Sequence, residues 1–319
     1  MVAAFDTSVV IPCHTERRWD ELCRAILSVL EQNPKPHSVV VAVDGNGTLY
    51  ERLLRWTDRI QVVLNATRPG ASTTRNAGAA LVRTPLIAFL DDDASARQNW
   101  LSNLIEPFHH PEVVGTGGFV SPRWRVPEPR WFPDEFAWVV GASFRGLPTT
   151  RSPVRNVWSE NMAVRRSVFD SVGGFRGEFT KVGDVSRPDD TDLCVRMGKT
   201  APGARWIYVP DAIVDHDVGA DRARFAYFLR RCYAEGRGKV ELARGNDGRS
   251  DLADERQYLR SVLPCGFARY TRRGVATRDM DDVSRAGAIL AGIAAAGCGA
   301  VIASVRGASQ ARRDHGAGE

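Results

Sequence analysis

Lysine is scarce in this 319-residue chain: only Lys35, Lys181, Lys199 and Lys239 are lysines among its 43 basic side chains. The formal net charge of +5 is therefore carried almost wholly by arginine. These arginines are scattered, with no basic stripe interleaved with aromatics, which argues against a nucleic-acid partner. A mild basic excess suits phosphate-bearing ligands or an anionic membrane surface instead. The six cysteines form no Cys-x-x-Cys pair, which argues against a zinc framework or a redox motif and fits reduced thiols. The N-terminus has no charged segment followed by an apolar one, so no secretory leader is expected and a cytoplasmic location is. No internal repeat is visible. A Gly-x-Gly-x-x-Gly turn after the first strand, which a dehydrogenase needs, is missing; the nearest run, Gly115-Thr116-Gly117-Gly118, comes late and leads into prolines. The first strand runs into Pro12-Cys13-His14-Thr15 and not into the Gly-rich loop of a nucleotidyltransferase, so that alternative is weak.

What is present is a rhythm of short β-branched runs and amphipathic stretches. Ser8–Ile11, Val39–Val43, Ile60–Leu64 and Leu86–Leu90 read as buried strands. Between them, Leu22, Ile26, Val29 and Leu30, then Leu49–Trp56, then Ala77–Val82, and finally Trp100–Phe108 read as helices. Repeated β-α-β units imply an α/β fold with a mainly parallel, Rossmann-like sheet flanked by helices. The rhythm breaks at residue 121. Residues 121–153 hold many prolines together with Trp124, Trp131, Phe132, Phe136 and Trp138, which fits either a substrate-facing ring surface or an aromatic core beneath a long loop. From Arg222 onward the chain reads as helical. The divisions expected are 1–120 for a first α/β half, 121–221 for a second half of the same domain, 222–305 for a helical region and 306–319 for a disordered tail. Ala286–Val305 carries no charge and is long enough to cross a bilayer, yet it is mostly Ala and Gly. A packed or interfacial helix is the preferred reading. With Arg222, Arg224, Arg230, Arg231, Arg237 and Arg244 upstream, it predicts peripheral contact with the inner face of the cell membrane.

Chemistry concentrates in a few places. Asp91-Asp92-Asp93 ends an apolar strand, where open α/β sheets bind ligands. Adjacent carboxylates repel unless a cation neutralises them, so a divalent metal bridging to a diphosphate is one reading and a solvated helix-capping turn is the other. Asp189-Asp190-Thr191-Asp192 precedes a helical stretch and supplies either an N-cap or a general base. Asp44 ends another strand, where it can accept from a base or ribose. Arg75 follows the turn at Gly70, where backbone amides and a guanidinium suit a nucleotide. His216 stands between Asp215 and Asp217 and is either structural or a metal ligand.

Taken in order, these pieces resemble glycosyltransferase family 2. The matching segments are Ser8–Pro12, Val41–Gly45, Arg75–Gly78, Phe89–Asp93 with Trp100-Leu101, Asn161–Arg166, Val172–Phe175, Asp189–Leu193 and His216. The resemblance spans about residues 7–240 and implies a GT-A fold, an inverting hexosyltransferase activity and a metal, Mg²⁺ or Mn²⁺. It assigns Pro12, Asp44, Arg75, Asp91 and Asp92 to the nucleotide of the donor, with Asp44 on its base. Asp91 and Asp93 match the DxD acids, Asp93 being preferred as the direct metal ligand, and His216 matches a position that ligates metal in some members. Asp190 matches the catalytic base, with Asp189 beside it where the family usually has Glu. Glu160, Asn161 and Trp131 fall on the acceptor side; Ser159-Glu160 replaces the usual small residues, and Glu160 is otherwise a solvated loop charge. No Gln-x-x-Arg-Trp motif of polymerising members is present. A single transfer from a nucleotide-diphosphate sugar, UDP preferred, to a hydroxyl of a lipid-linked or small natural-product acceptor is therefore expected. A degenerate, non-catalytic sugar-nucleotide-binding lobe would not need Asp44, Asp93 and Asp190 together.

Overall fold

The computed structural model describes residues 6–179, 189–245 and 253–316; the side chains of 179, 241–245, 253–254 and 306–316 lie outside the description. The described residues form two units. The first holds those up to Arg123 and those from Pro148 to Asp217; the second holds Trp124–Leu147 and those from Val218 onward. The stretch 121–221, read from sequence as one half, is thus divided, and its aromatic loop belongs to the second unit.

The first unit begins with β1 (Thr7–Cys13), α1 (Trp19–Leu30), β2 (Ser38–Asp44), α2 (Gly47–Leu53), β3 (Gln61–Asn65), α3 (Ala71–Ala79) and β4 (Leu86–Leu90). It continues with β5 (Ala94–Ala96), α4 (Trp100–Ile105), β6 (Val113–Trp124), β7 (Ser152–Val154), β8 (Asn161–Arg165), α5 (Arg166–Ser171), α6 (Asp189–Gly198) and β9 (Arg205–Val218). The strands make one sheet in the order β3-β2-β1-β4-β8-β6-β9-β5, with β7 beside β9. Pairing is parallel across β3-β2-β1-β4. Beyond β4 the return strand β8 pairs antiparallel with both β4 and β6. Strand order reverses at β1, so the crevice at the carboxyl ends of β1 and β4 is the natural ligand site.

Strand residues alternate between two cores. Val9, Ile11, Val39, Val41 and Val43 face Leu22, Ala25, Ile26 and Val29 of α1. Val10, Val40, Ile87 and Phe89 face the opposite way, toward Phe169, Phe175, Leu193 and Met197. Burial on both faces explains why these strands read as continuous apolar runs. Helix α3 starts at Ala71, well before the Ala77 indicated by apolar spacing. Its first half is Ser, Thr and Arg, turned toward polar partners, so apolar periodicity there is blind. Its Gly78 is dictated by close approach: a Cβ would lie 2.5 Å from Val10 Cγ1 and 3.2 Å from Ala42 Cβ.

The second unit contains a short 3₁₀ segment, Asp134–Val140, then α7 (Phe225–Gly245), α8 (Ala253–Gln257), α9 (Leu263–Thr277) and α10 (Met280–Gly316). Its core gathers Phe132, Phe136, Val140, Phe228, Cys232 and Ile289. Ring pairs dominate the packing, with Trp131 4.9 Å from Phe225 and 5.5 Å from Phe228 between centroids. Trp131, expected on the acceptor side from the aromatic loop that holds it, stands half-buried in this aromatic cluster. The tail from 306, expected to be disordered, continues α10 as helix to Gly316. A helix already nucleated extends cheaply through Ala, Arg, Gln and Ser.

Candidate active site

The carboxyl ends of β1, β2 and β4 deliver the acidic and polar groups read from sequence. Asp44, at the end of β2, accepts from Asn65 Nδ2 at 3.1 Å and from the Gly70 amide at 2.9 Å. It is thereby fixed against the turn that opens α3. Pro12 is buried within β1, in register with Ala42. From α3, Arg75 is 5% exposed and donates to Asp91 Oδ1 at 2.6 Å; its Nη1 lies 3.8 Å from Asp189 Oδ2. Burial opposes the charged guanidinium, yet Asp91, Asp189 and Asp190 outweigh it and raise its pKa. Arg75 thus joins two acidic clusters separated by almost a hundred residues of sequence.

The middle of the triplet is occupied by a residue that sequence reasoning missed. Arg18 Nη1 lies 2.9 Å from Asp92 Oδ1 and 2.9 Å from Asp93 Oδ2. One arginine among many gives no sequence signal; only the turn after β1 brings it there. Asp92 is 4% exposed, and burial, then Asp93, pushes its carboxyl up to about 7. Asp93 Oδ1 faces His216 Nε2 at 3.5 Å, and both residues are buried. The pairing of β5 with β9, which sets Ala94 opposite His216, creates this approach. A second unanticipated device braces it. The Asp217 amide donates to Asp93 O at 2.9 Å, while the Asp217 carboxylate accepts from Arg24 Nη2 and Arg123 Nε, each at 2.5 Å.

These donors suit a hard divalent cation that takes one or two protein ligands and completes its shell with phosphate oxygens and water. Asp93 and His216 offer a carboxylate and an imidazole side by side. Asp91 is engaged with Arg75, and no group of three or more His, Cys, Asp or Glu stands ready for a metal among the described residues. The described residues thus offer a cation an open two-ligand site and not a closed protein cage.

At the start of α6, Asp189 accepts from Ser72 Oγ at 2.8 Å as well as facing Arg75. Asp190 accepts from Ser159, and its Oδ1 is enclosed without a hydrogen-bond partner among the described residues. Burial first, and then Asp189, pushes the Asp190 carboxyl up to about 8. Asp189 is also raised, chiefly by burial. Asp192 points elsewhere: it is fully buried and held by Arg196 at 2.8 Å and Arg176 at 3.3 Å. Asp192→Asn is expected to lower unfolding free energy by about 3 kcal/mol, the lower end for breaking a buried pair. Urea denaturation would measure it.

On the expected acceptor side, Glu160 is half-buried just before β8. Asn161 differs from the sequence expectation. It is 1% exposed, and its carboxamide accepts from Trp100 Nε1 at 2.8 Å and donates to Phe119 O and Ala212 O at 3.0 and 2.9 Å. Its capacity is consumed in tying strands together, so it braces the site from behind and is not turned to an acceptor.

The switch point of the sheet thus gathers Asp44, the Asp93–His216 pair and the buried Asp190, the arrangement expected of a nucleotide-sugar glycosyltransferase. The family model described as Glycosyl transferase family 2 matches residues 8–173. A glucosyl-dolichyl phosphate glucuronosyltransferase from Haloferax volcanii is 31% identical over 80% of this chain and 82% of its own length. The chain belongs to glycosyltransferase family 2. A pre-mycofactocin glycosyltransferase from Mycobacterium tuberculosis is 33% identical over 50% of this chain and 32% of its own. Among solved structures, a mannosyltransferase from Pyrobaculum calidifontis in complex with GDP-Man and Mn²⁺ aligns at a TM-score of 0.60 and 19% identity, covering 94% of this chain and 88% of that one. GalNAc-T7 with UDP, GalNAc and Mn²⁺ aligns at 0.55 and 15% identity, over 81% and 54%. At such identities these two establish the GT-A fold alone.

Proposed function

We propose that this enzyme transfers a single sugar, with inversion, from a nucleotide-diphosphate sugar, UDP preferred, to a hydroxyl on a lipid-linked acceptor. The observation that supports the reading is the Asp91–Arg75–Asp189 bridge, which ties the acids at the end of β4 to the start of α6, where Asp190 stands. Asp190 takes the proton of the acceptor hydroxyl on Oδ1. The hydroxyl oxygen bonds to the anomeric carbon from the face opposite the nucleotide, whose diphosphate leaves with the bonding pair. Asp44 receives the base or ribose, and Arg75 keeps the acids on either side in register. A divalent metal, held by Asp93 and His216, would supply neutralising charge to the departing diphosphate. The glucosyl-dolichyl phosphate relative supports a lipid-linked sugar as the acceptor class.

Incubation with UDP- and GDP-sugars and a prenyl-phosphate-linked sugar, followed by NMR of the product linkage, tests the proposal. An inverted anomeric centre is expected; retention would overturn the single-displacement reading. The acidity of Asp190 adds a second check. A general base acts only when ionised, so a carboxyl near 8 is mostly protonated at neutral pH. kcat/KM should rise by roughly tenfold per pH unit on the acidic side of about 8 and level off above it. A flat profile between pH 6 and 9, values chosen to bracket about 8, would remove Asp190 from the role.

A further inference from the structure

Helix α10 carries two contrasting faces. One is packed within the second unit: a Cβ on Gly236 of α7 would lie 2.0 Å from Ala296 O, and one on Gly299 would lie 2.1 Å from Tyr233 O. Gly292 likewise abuts Phe136 and Phe228. The glycines let α7 and α10 approach backbone to backbone. The opposite face is an exposed apolar stripe: Val283, Leu290, Ile293, Val301 and Val305 recur on one side of the helix and are 38–62% exposed. From 283 to 305 this stripe runs about 33 Å at 1.5 Å per residue.

The same unit concentrates exposed apolar surface and positive charge. Among the described residues, ten of the twelve exposed large hydrophobic side chains belong to it. Residues 218–319 hold 18 Lys and Arg against 12 Asp and Glu, a net +6, while residues 1–217 hold 25 against 26. At the junction of α9 and α10, exposed Arg272 and Arg278 flank Val275 and Met280, which are 73% and 71% exposed.

From this pairing we infer that the outer face of α10 lies in the plane of an anionic lipid bilayer surface, with its apolar stripe among the upper acyl chains and the neighbouring arginines at the headgroups. Length and hydropathy alone would equally allow α10 to cross the bilayer. Its packing argues otherwise. A crossing α10 would carry α7 alongside it, with Arg230, Arg231, Arg237 and Lys239, into hydrocarbon. An amphipathic helix lying flat keeps the packed side on protein and the stripe in lipid. This inference stands apart from the catalytic reading, because its test reads binding and depth, not transfer.

The experiment uses the full chain with vesicles of phosphatidylcholine alone or with about one-third phosphatidylglycerol, a content that gives a negative surface potential. Sedimentation with the anionic vesicles, weakened by salt, is expected. The double variant Leu290→Gln, Val301→Gln should reduce bound protein at least about tenfold, since each exposed apolar side chain contributes to insertion. Its melting temperature should be unchanged, because both positions are exposed. Depth separates the two membrane geometries. With exposed Cys265 and Cys298 replaced by Ser, fluorophores on Leu290→Cys and Val301→Cys should be quenched to the same shallow depth by spin-labelled lipids. A crossing helix would separate them by about 16 Å in depth and overturn the inference. Equal binding to neutral and anionic vesicles, or full binding by the double variant, would also overturn it. So would a dimer in lipid-free solution that the double variant dissolves without any vesicle binding, since the stripe would then cover a second copy of the chain.

Discussion

Asp190→Asn is expected to lower sugar transfer by about 10²- to 10⁴-fold, the range for losing a positioned general base, while nucleotide and metal affinity persist. The amide keeps the size of the carboxylate and the bond from Ser159 but cannot accept a proton from the attacking hydroxyl. The neighbouring acid cannot simply replace it. Asp189 is engaged by Ser72 at 2.8 Å and faces Arg75, whereas Asp190 keeps an enclosed oxygen without a partner among the described residues. Asp189→Asn should therefore cost less, acting through the position of Arg75. Single-turnover rates and UDP binding measured on both variants decide the matter. Near-native transfer by Asp190→Asn, with loss in Asp189→Asn, would move the base one residue earlier.

Asp93→Asn is expected to abolish detectable donor turnover and to remove the Mn²⁺-dependent rise in melting temperature that UDP should give the parent enzyme. A ligand that binds only the native state raises its stability by mass action, so the thermal shift reports binding without requiring catalysis. Asp93 is the acid placed against His216, and the neutral amide would no longer offer a cation the negative oxygen beside that imidazole. His216→Gln should weaken the same shift while keeping some activity, because the carboxylate and the diphosphate still attract the cation. Activity that survives exhaustive chelation with EDTA would exclude the metal role for both residues.

Much of this arrangement was legible in the sequence because it rests on local patterns. The apolar runs that became β1, β2 and β4 are buried on both faces, so each reads as a strand without knowledge of its neighbours, while β3 at the sheet edge is half-buried. The acids at the ends of β2 and β4 follow from where those runs stop. Asp192 was separable from Asp190 by helix geometry, since residues two apart point about 200° from one another; the structure buries Asp192 against Arg196. What could not be read was long-range. Arg18, Arg24 and Arg123 reach their carboxylates through turns that no spacing encodes. Asn161 falls on the acceptor side by its motif, but its bonds run to strands distant in sequence. The aromatic loop kept two readings open, and the packing of Trp131 with Phe225 and Phe228 depends on a helix almost a hundred residues later.

The short helix α3 has a consequence for changing which donor the enzyme accepts. Within nine residues, Ser72 holds Asp189, Arg75 holds Asp91, Asn76 clasps both the amide and the carbonyl of Phe175, and Gly78 rests on β1 and β2. Every side of it is committed, so a substitution meant to retune one contact disturbs the others. Residues 66–69, by contrast, are exposed and lead straight into the Gly70 amide that meets Asp44. Variant libraries directed at α3 should yield mainly inactive or unfolded protein. Libraries over Ala66, Thr67, Arg68 and Pro69 can reshape the approach to the nucleotide while the acids keep their spacing. New donor preferences are therefore expected to arise at the rim of the helix and not along it.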